Sequence, residues 1–164
     1  MRPHWDQKAD SWDGHLPQSD LFSHLLDTVM QAAQPAPSDI ALDLGAGSGF
    51  LTIPIAERVR RAYAVDHSAE MLRGLRDKAG ASGVEVIAVQ KDLRRYEPPE
   101  AVNLVVSNYA LHHLSHNSKR ELMRRCYSWM LPGSRIVVAA CGRRFGKTKA
   151  AAAAALWRLC GATE

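Results

Sequence analysis

The stretch "LDLGAGSGF", residues 42–50, decides the fold class of this chain. It places Gly45, Gly47 and Gly49 directly after the short apolar run "IALDL". Glycines at these positions let the backbone turn sharply and approach a ligand with no Cβ in the way. A helical pattern begins at about Phe50, so the N-terminus of that helix points at the same space. The stretch therefore predicts a strand, a ligand-binding turn and a helix.

Apolar strands alternate with amphipathic helices along the rest of the chain. The strand-like runs are "IALDL", "AYAVD", "VEVIAVQ", "AVNLVVSN" and "RIVVAA", and helical patterns lie before, between and after them. This alternation predicts a Rossmann-like α/β fold: a doubly wound, mostly parallel sheet of about five strands with helices on both faces. Ligands of such folds bind at the carboxyl ends of the strands, near the point where the strand order reverses.

The length of 164 residues is that of one domain. Within it we expect an N-terminal helical cap (1–37), a cofactor-binding core (38–140) and a basic loop with an Ala-rich helix (141–164). No apolar stretch is long enough for a transmembrane helix, and the polar N-terminus lacks the apolar centre of a secretory signal. The three cysteines form no C-x-x-C pair, which favours reduced thiols and a cytoplasmic location.

Charge is distributed unevenly along the chain. Residues 1–118 hold 11 Lys/Arg against 15 Asp/Glu, whereas residues 119–164 hold 10 Lys/Arg against 2 Asp/Glu. A basic C-terminal third is compatible with RNA, an acidic lipid surface or an anionic substrate. It is equally typical of helices with solvated basic faces. We favour solvated faces, because no aromatic residues interleave the charges as stacking platforms for bases would.

The spacing of the glycine loop distinguishes between two classes of cofactor. Dinucleotides favour G-x-G-x-x-G, but here the spacing is G-x-G-x-G, and Phe50 stands where the last glycine belongs. The carboxylate of Asp43 precedes the loop; it would repel a pyrophosphate and attract a cation. S-adenosylmethionine carries a sulfonium and an ammonium and has no phosphate, so it is the better match.

With these motifs the chain resembles class I S-adenosylmethionine-dependent methyltransferases of the small-molecule branch, over about residues 5–140. The resemblance implies that S-adenosyl-L-methionine is the cofactor and S-adenosyl-L-homocysteine the product. It implies that Asp66 accepts the ribose hydroxyls, that Asp92 and Leu93 hold the adenine, and that Met71 packs on the adenine face. Trp12, in "WDQKADSWD", stands where this branch has an aromatic residue. The implied cofactor-binding residues are Asp43, Gly45, Ala46, Gly47, Gly49, Asp66, His67, Met71, Asp92, Leu93, Asn108 and Trp12.

The segment "VVSNYALHHL" resembles the part of the family that lies beside the transferred methyl group. His112 and His113 are the candidate catalytic residues, because an imidazole can remove the proton of a hydroxyl acceptor near neutral pH. A metal site formed with His116 is disfavoured, since no carboxylate or cysteine lies at a matching distance, and we expect no metal. The pair Asn108–Tyr109 resembles the Asn-Pro-Pro-Tyr signature of amino-group methylases only loosely, because both prolines are missing.

The tail after "RIVVAA" shows no strand pattern. The family's sheet ends with a β6–β7 hairpin, so we expect that hairpin to be absent and the tail to form an Ala-rich helix. The fifth strand would then be a sheet edge, covered by this helix, a second copy or a partner chain. Gly146-Lys147-Thr148 resembles a phosphate-binding P-loop, but the loop before it is one residue short, which disfavours a triphosphatase.

The function that the resemblance implies is methyl transfer to an unidentified acceptor, most simply a small molecule, with no membrane partner. Two alternatives stay open. The chain could be a truncated or non-catalytic S-adenosylmethionine-binding subunit that needs a partner. It could also be an RNA methyltransferase that uses the basic C-terminal third.

Overall fold

The computed structural model of the protein describes residues 20–140 and 153–158. Helices and strands alternate as the sequence predicts. In chain order they are α1 (Asp20–Ala33), β1 (Ile40–Leu44), α2 (Thr52–Ala56), β2 (Arg61–Asp66), α3 (Ala69–Ser82), β3 (Ile87–Gln90), β4 (Val102–Asn108), α4 (His116–Trp129), β5 (Met130–Ala140) and β6 (Ala153–Arg158), with short 3₁₀ helices at Leu93–Arg95 and Leu111–His113. Trp12, the Gly146-Lys147-Thr148 loop, Cys141 and Cys160 lie outside the described residues.

The strands form one sheet in the order β3-β2-β1-β4-β5-β6, and β1 to β5 are parallel. The order reverses between β1 and β4, which are direct neighbours, with Asp43 paired to Val106. This is the topological switch point, where ligands of such sheets bind. The predicted Rossmann-like fold with about five parallel strands is confirmed.

Helices cover both faces of the sheet. Side chains of α1 and α2 pack on one face, where Leu25, Val29 and Ile55 meet β1, β4 and β5. On the other face, Leu122 and Cys126 of α4 pack against Leu42, Leu44 and further strand residues. Alternation along β1 explains the two layers, because successive side chains of a strand point to opposite faces. The helix of the predicted N-terminal cap is thus one of the layers that cover the sheet.

The predicted Ala-rich tail helix is wrong where the structure describes the tail. Residues Ala153–Arg158 form β6, which pairs antiparallel with β5 and places Ala155 opposite Val138. Alanine favours helices, but the energy difference per residue is small and long-range pairing overrides it. The expectation that β5 forms the sheet edge is therefore also wrong. The described residues thus contain one strand after β5.

Two local features orient the elements around the switch point. Ser68 caps α3, since its side chain accepts a hydrogen bond from the backbone N–H of Met71 at 3.2 Å. Helix α2 begins at Thr52, two residues later than expected, so Phe50 belongs to the turn. Among residues 20–140 and 153–158, no helix combines the length and apolarity needed to span a bilayer.

Candidate active site

A cleft of about 600 Å³ opens at the carboxyl ends of β1, β2, β3 and β4, where the strand order predicts a ligand. It brings together most of the residues that the sequence nominates. The predicted residues that line it are Asp43, Gly45, Ala46, Gly47, Asp66, His67, Met71, Asp92, Leu93, Asn108, His112 and His113. Gly49 does not line this cleft, and Trp12 lies outside the described residues.

The glycine loop makes the floor of the cleft. Gly45 adopts a φ of +78°, and its N–H donates a hydrogen bond to the carbonyl of Val65 at 2.8 Å. A Cβ on Gly45 would lie 2.1 Å from the Cβ of Ala110, closer than real carbon atoms approach. Gly47 also has a positive φ, of +54°. Only glycine therefore fits at position 45, and it lets the loops after β1 and β4 meet.

Gly49 has a packing role that the motif alone does not reveal. A Cβ there would lie 3.2 Å from side-chain carbons of both Ile53 and Leu75, and φ is +94°. Those residues belong to α2 and α3, so Gly49 allows the two helices to approach beneath the loop. The sequence predicts Gly49 as a cofactor contact, and the structure places it behind the cleft rather than in it.

Asp66 ends β2 and is buried. One carboxylate oxygen accepts a hydrogen bond from the N–H of Gly47, and the other accepts one from the N–H of Ser68, both at 2.9 Å. The side chain thus connects the glycine loop with the start of α3. Each oxygen of a carboxylate has about two lone-pair sites, so both oxygens retain capacity to accept a further donor from the cleft.

Asp43 is buried under the loop and accepts a hydrogen bond from the hydroxyl of Thr52 at 2.7 Å. Burial raises the pKa of this carboxyl to about 7; the Thr52 hydrogen bond opposes the rise, and the charge of Asp66 adds to it. A cation entering the cleft would favour the ionised form of Asp43. The cleft therefore contains a carboxyl group that titrates near neutral pH.

Asp92 follows β3 and is held by Arg94. Its carboxylate accepts hydrogen bonds from the backbone N–H of Arg94 at 2.9 Å and from Nε of the same residue at 3.0 Å. The Arg94 guanidinium lowers the pKa of Asp92 to about 2, so the carboxylate is ionised at neutral pH. Arg94 itself lines the cleft, although the sequence motifs did not nominate it. The sequence feature that could have indicated it is an aspartate just after a strand, because such a side chain often bonds to the backbone two residues later.

The loop after β4 forms the opposite side of the cleft. Asn108 ends the strand, and its buried Oδ1 has no hydrogen-bond partner among the described residues. Tyr109 has a φ of +53°, a conformation that costs a non-glycine residue about 1–3 kcal/mol and that clusters at functional sites. No sequence motif indicates this backbone conformation. A buried oxygen without a hydrogen-bond partner, next to a strained residue, is typical of a site where a ligand supplies the remaining hydrogen bond.

His112 and His113 lie together in the short 3₁₀ helix that follows. Their ring centroids are 3.8 Å apart with a 43° angle between the planes, and both side chains are exposed at the cleft. In the part of the chain that the structure describes, no group of three His, Cys, Asp or Glu side chains could hold a metal ion. The remaining lining residues, which the sequence did not nominate individually, are Ser48, Phe50, Leu51, Ala110, Leu114, Ser115 and Ser118.

Comparison with known families agrees with this geometry. A sequence model described as a methyltransferase domain matches residues 41–133, from β1 into β5. The chain belongs to this methyltransferase-domain family. The predicted relationship to class I S-adenosylmethionine-dependent methyltransferases is confirmed.

Curated relatives of the methyltransferase domain include an uncharacterized methyltransferase from Geobacillus kaustophilus. It is 31% identical over 135 residues, which are 82% of this chain and 60% of the relative. A probable cobalt-precorrin-6B C(15)-methyltransferase (decarboxylating) from Methanothermobacter thermautotrophicus is 30% identical over 113 residues, 68% of this chain and 57% of the relative. The chain thus spans about 60% of the length of the curated relatives it matches.

Solved structures share the fold of the methyltransferase domain. The N-methyltransferase NodS from Bradyrhizobium japonicum superimposes with a TM-score of 0.73 over 85% of this chain and 74% of NodS, at 14% identity. That structure contains S-adenosyl-L-homocysteine. At this identity the similarity shows the fold alone.

Proposed function

We propose that this chain binds S-adenosyl-L-methionine in the cleft and transfers its methyl group to a small-molecule acceptor, releasing S-adenosyl-L-homocysteine. One observation carries the proposal: two buried carboxyl groups, Asp43 and Asp66, flank a glycine loop at the switch point of a methyltransferase-domain sheet. Burying two carboxyl groups together costs free energy, which a cationic ligand offsets. A pyrophosphate would increase that cost.

Each side of the cleft has its own part in the proposed complex. Asp66 accepts the ribose hydroxyls with the lone pairs that Gly47 and Ser68 leave open. Asp92, ionised beside Arg94, accepts a hydrogen bond from the adenine amino group, and Met71 packs on the ring. Asp43 faces the ammonium end, where a positive charge stabilises its carboxylate.

The chain's contribution to the chemistry is mainly positioning. When bound, S-adenosylmethionine supplies a methyl carbon activated by a sulfonium, and the electron pair of the broken C–S bond stays on sulfur. The loop from Asn108 to His113 borders that region and holds the acceptor in line, which can supply about 7–11 kcal/mol. If the acceptor atom is a hydroxyl, His112 or His113 removes its proton.

Two basic residues of the C-terminal third favour a small molecule over RNA as the acceptor. Arg125 donates hydrogen bonds to the carbonyls of Arg94 and Tyr96, and Arg135 bonds to the carbonyl of Ala33 and pairs with the buried Asp39. These guanidinium groups stabilise the fold and are less accessible to a phosphate backbone. An RNA acceptor would instead give binding that weakens steeply with salt concentration.

Isothermal titration calorimetry of the chain with S-adenosylhomocysteine, with NAD⁺ as the control ligand, tests the cofactor. We expect one S-adenosylhomocysteine per chain and no heat from NAD⁺. Tight NAD⁺ binding, or no binding of either ligand at millimolar concentration, would contradict the proposal. Transfer of label from methyl-labelled S-adenosylmethionine to extracted small molecules then tests catalysis. Cofactor binding without any transfer would favour a non-catalytic subunit.

A further inference from the structure

The lining of the cleft is divided by charge. Its three carboxylates lie at the carboxyl ends of the first three strands: Asp43 in β1, Asp66 as the last residue of β2 and Asp92 just after β3. The part of the lining that follows β4, between residues 108 and 118, contains no carboxylate. Its polar members are an amide, a phenol, two imidazoles and two hydroxyls: Asn108, Tyr109, His112, His113, Ser115 and Ser118. One half of the cleft therefore suits a cation, and the other half offers hydrogen-bond donors.

A guanidinium that is paired with the carboxylate of Asp92 also lines the cleft. Arg94 lines the cleft from the 3₁₀ turn after β3, and this turn is held against α4 by Arg125. One guanidinium nitrogen of Arg125 donates to the carbonyl of Arg94 at 2.6 Å, and the other donates to the carbonyl of Tyr96. The Arg94 guanidinium, paired with Asp92, is thus carried on a turn that is anchored to α4.

The N-terminal end of α4 borders this half of the cleft. The 14-residue helix begins directly after Ser115, whose side chain accepts a hydrogen bond from the N–H of Ser118 at 3.2 Å. No acidic side chain lies in its first turn, so nothing in that turn neutralises the positive end of the helix dipole. Both serines line the cleft. The helix terminus adds to the site that the two imidazoles form.

We infer that the methyl acceptor is an anion whose carboxylate or phosphate group binds to His112 and His113. The inference rests on the proposed function, because it assigns the acidic half of the cleft to the cofactor. The acceptor then brings the charge opposite to that of the cofactor. Each ligand meets the half of the cleft that its charge favours, which gives the orientation that methyl transfer requires.

The separation of the two rings explains how one pair can serve binding and proton removal. Imidazole centroids 3.8 Å apart in the cleft bring both rings within reach of one small ligand group. One ring then donates a hydrogen bond to the anion, and the other, when neutral, accepts the proton of the acceptor atom.

Three probes with the same phenyl ring test the inference on protein saturated with S-adenosylhomocysteine. Benzoate and benzamide have nearly the same shape and differ in charge, and phenyl phosphate brings the second anion class. Calorimetry and the imidazole NMR signals of His112 and His113 report binding. We expect at least one anion to bind roughly tenfold or more tightly than benzamide, a difference of about 1.4 kcal/mol. The tighter anion identifies carboxylate or phosphate as the recognised group.

The variant arm uses the double substitution His112→Gln and His113→Gln, with His116→Gln as the matched control. His116 is exposed at the start of α4, three residues after His113, and does not line the cleft. The double variant should bind the anions no better than benzamide and keep its affinity for S-adenosylhomocysteine, whereas H116Q should change neither. Equal binding of all three probes to the wild type, or a preference for anions that survives the double substitution, overturns the inference. Absence of S-adenosylhomocysteine binding contradicts the proposed function itself.

Discussion

The carboxylate of Asp66 accepts a hydrogen bond from the backbone N–H of Gly47 at 2.9 Å. This contact joins the end of β2 to the loop that follows β1. The other oxygen of Asp66 accepts from the N–H of Ser68, which caps α3. One side chain thereby fixes the shape of the glycine loop and the start of the next helix. Asp66 therefore couples the loop geometry to the proposed recognition of the ribose.

The first prediction concerns Asp66→Asn. An asparagine side chain has one acceptor oxygen, so the N–H of Gly47 or of Ser68 would face an NH₂ group instead of an acceptor. Hydrogen bonds to charged groups contribute about 1.5–3 kcal/mol, so affinity for S-adenosylhomocysteine should fall roughly 10- to 100-fold in calorimetry. Asp77→Asn, an exposed carboxylate on α3, is the control and should bind like the wild type. Wild-type affinity in D66N would refute the role of Asp66.

The second prediction compares two Gly→Ala substitutions. At Gly45 a Cβ would overlap the Cβ of Ala110, and φ is +78°, so G45A should lose about 2 kcal/mol or more of unfolding free energy. At Gly80, in α3, a Cβ would meet no atom within 4 Å. G80A should therefore gain about 0.4–1 kcal/mol. Urea denaturation measures both values, and a neutral G45A would show that the loops after β1 and β4 do not meet as described.

The third prediction concerns stability and the titration of Asp43. Burial raises the pKa of this carboxyl from 3.8 to about 7. Between these values the folded state keeps the proton and the unfolded state loses it, so the Asp43 contribution to the free energy of unfolding falls as pH rises from about 4 to about 7. Asp43→Asn removes this titration and retains an oxygen for Thr52.

We therefore expect D43N and the wild type to be about equally stable near pH 4. Above about pH 7 the variant should be more stable, by about 2–4 kcal/mol. Chemical denaturation at the two pH values measures the free energy of unfolding of both proteins. Subtracting the wild-type value from the variant value at each pH cancels the titration of groups that behave alike in the two proteins. A D43N that is less stable than the wild type above neutral pH contradicts the raised pKa.

The fourth prediction concerns cofactor affinity and the same carboxyl. A bound cation favours the ionised form of Asp43, so binding should strengthen as the group ionises. Affinity for S-adenosylmethionine should rise roughly tenfold between about pH 6 and pH 8. Asp92, whose pKa is about 2, does not titrate in this range. D43N should bind more weakly and show a flat profile; a steep profile in the variant would assign the pH dependence to another group.

Local sequence patterns predicted the parts of the site that are built from residues close together in the sequence. Gly45, Gly47 and Asp66 lie at or just after the ends of strands, so the strand–turn–helix pattern places them at the switch point. Gly49 shares the same spacing but lets α2 and α3 approach each other, because one motif contains glycines for ligand approach and for packing.

Features that depend on distant parts of the chain were not predicted. Arg94 reaches the cleft because Arg125, 31 residues later, holds its turn. The sequence does not indicate the positive φ of Tyr109, since tyrosine rarely adopts a positive φ. The tail pairs with β5 as Ala153–Arg158 although alanines favour helices, because a strand is determined by its partner.

Amide chemical-shift mapping during a titration with S-adenosylhomocysteine tests the central claim most directly. The amides of Gly45, Gly47, Asp66 and Leu93 should shift together and saturate with one dissociation constant, because all four residues line the cleft. The account is contradicted if these amides do not respond at millimolar ligand. It is equally contradicted if the saturating shifts lie around Ile53 and Lys78, which line the second cavity behind the glycine loop.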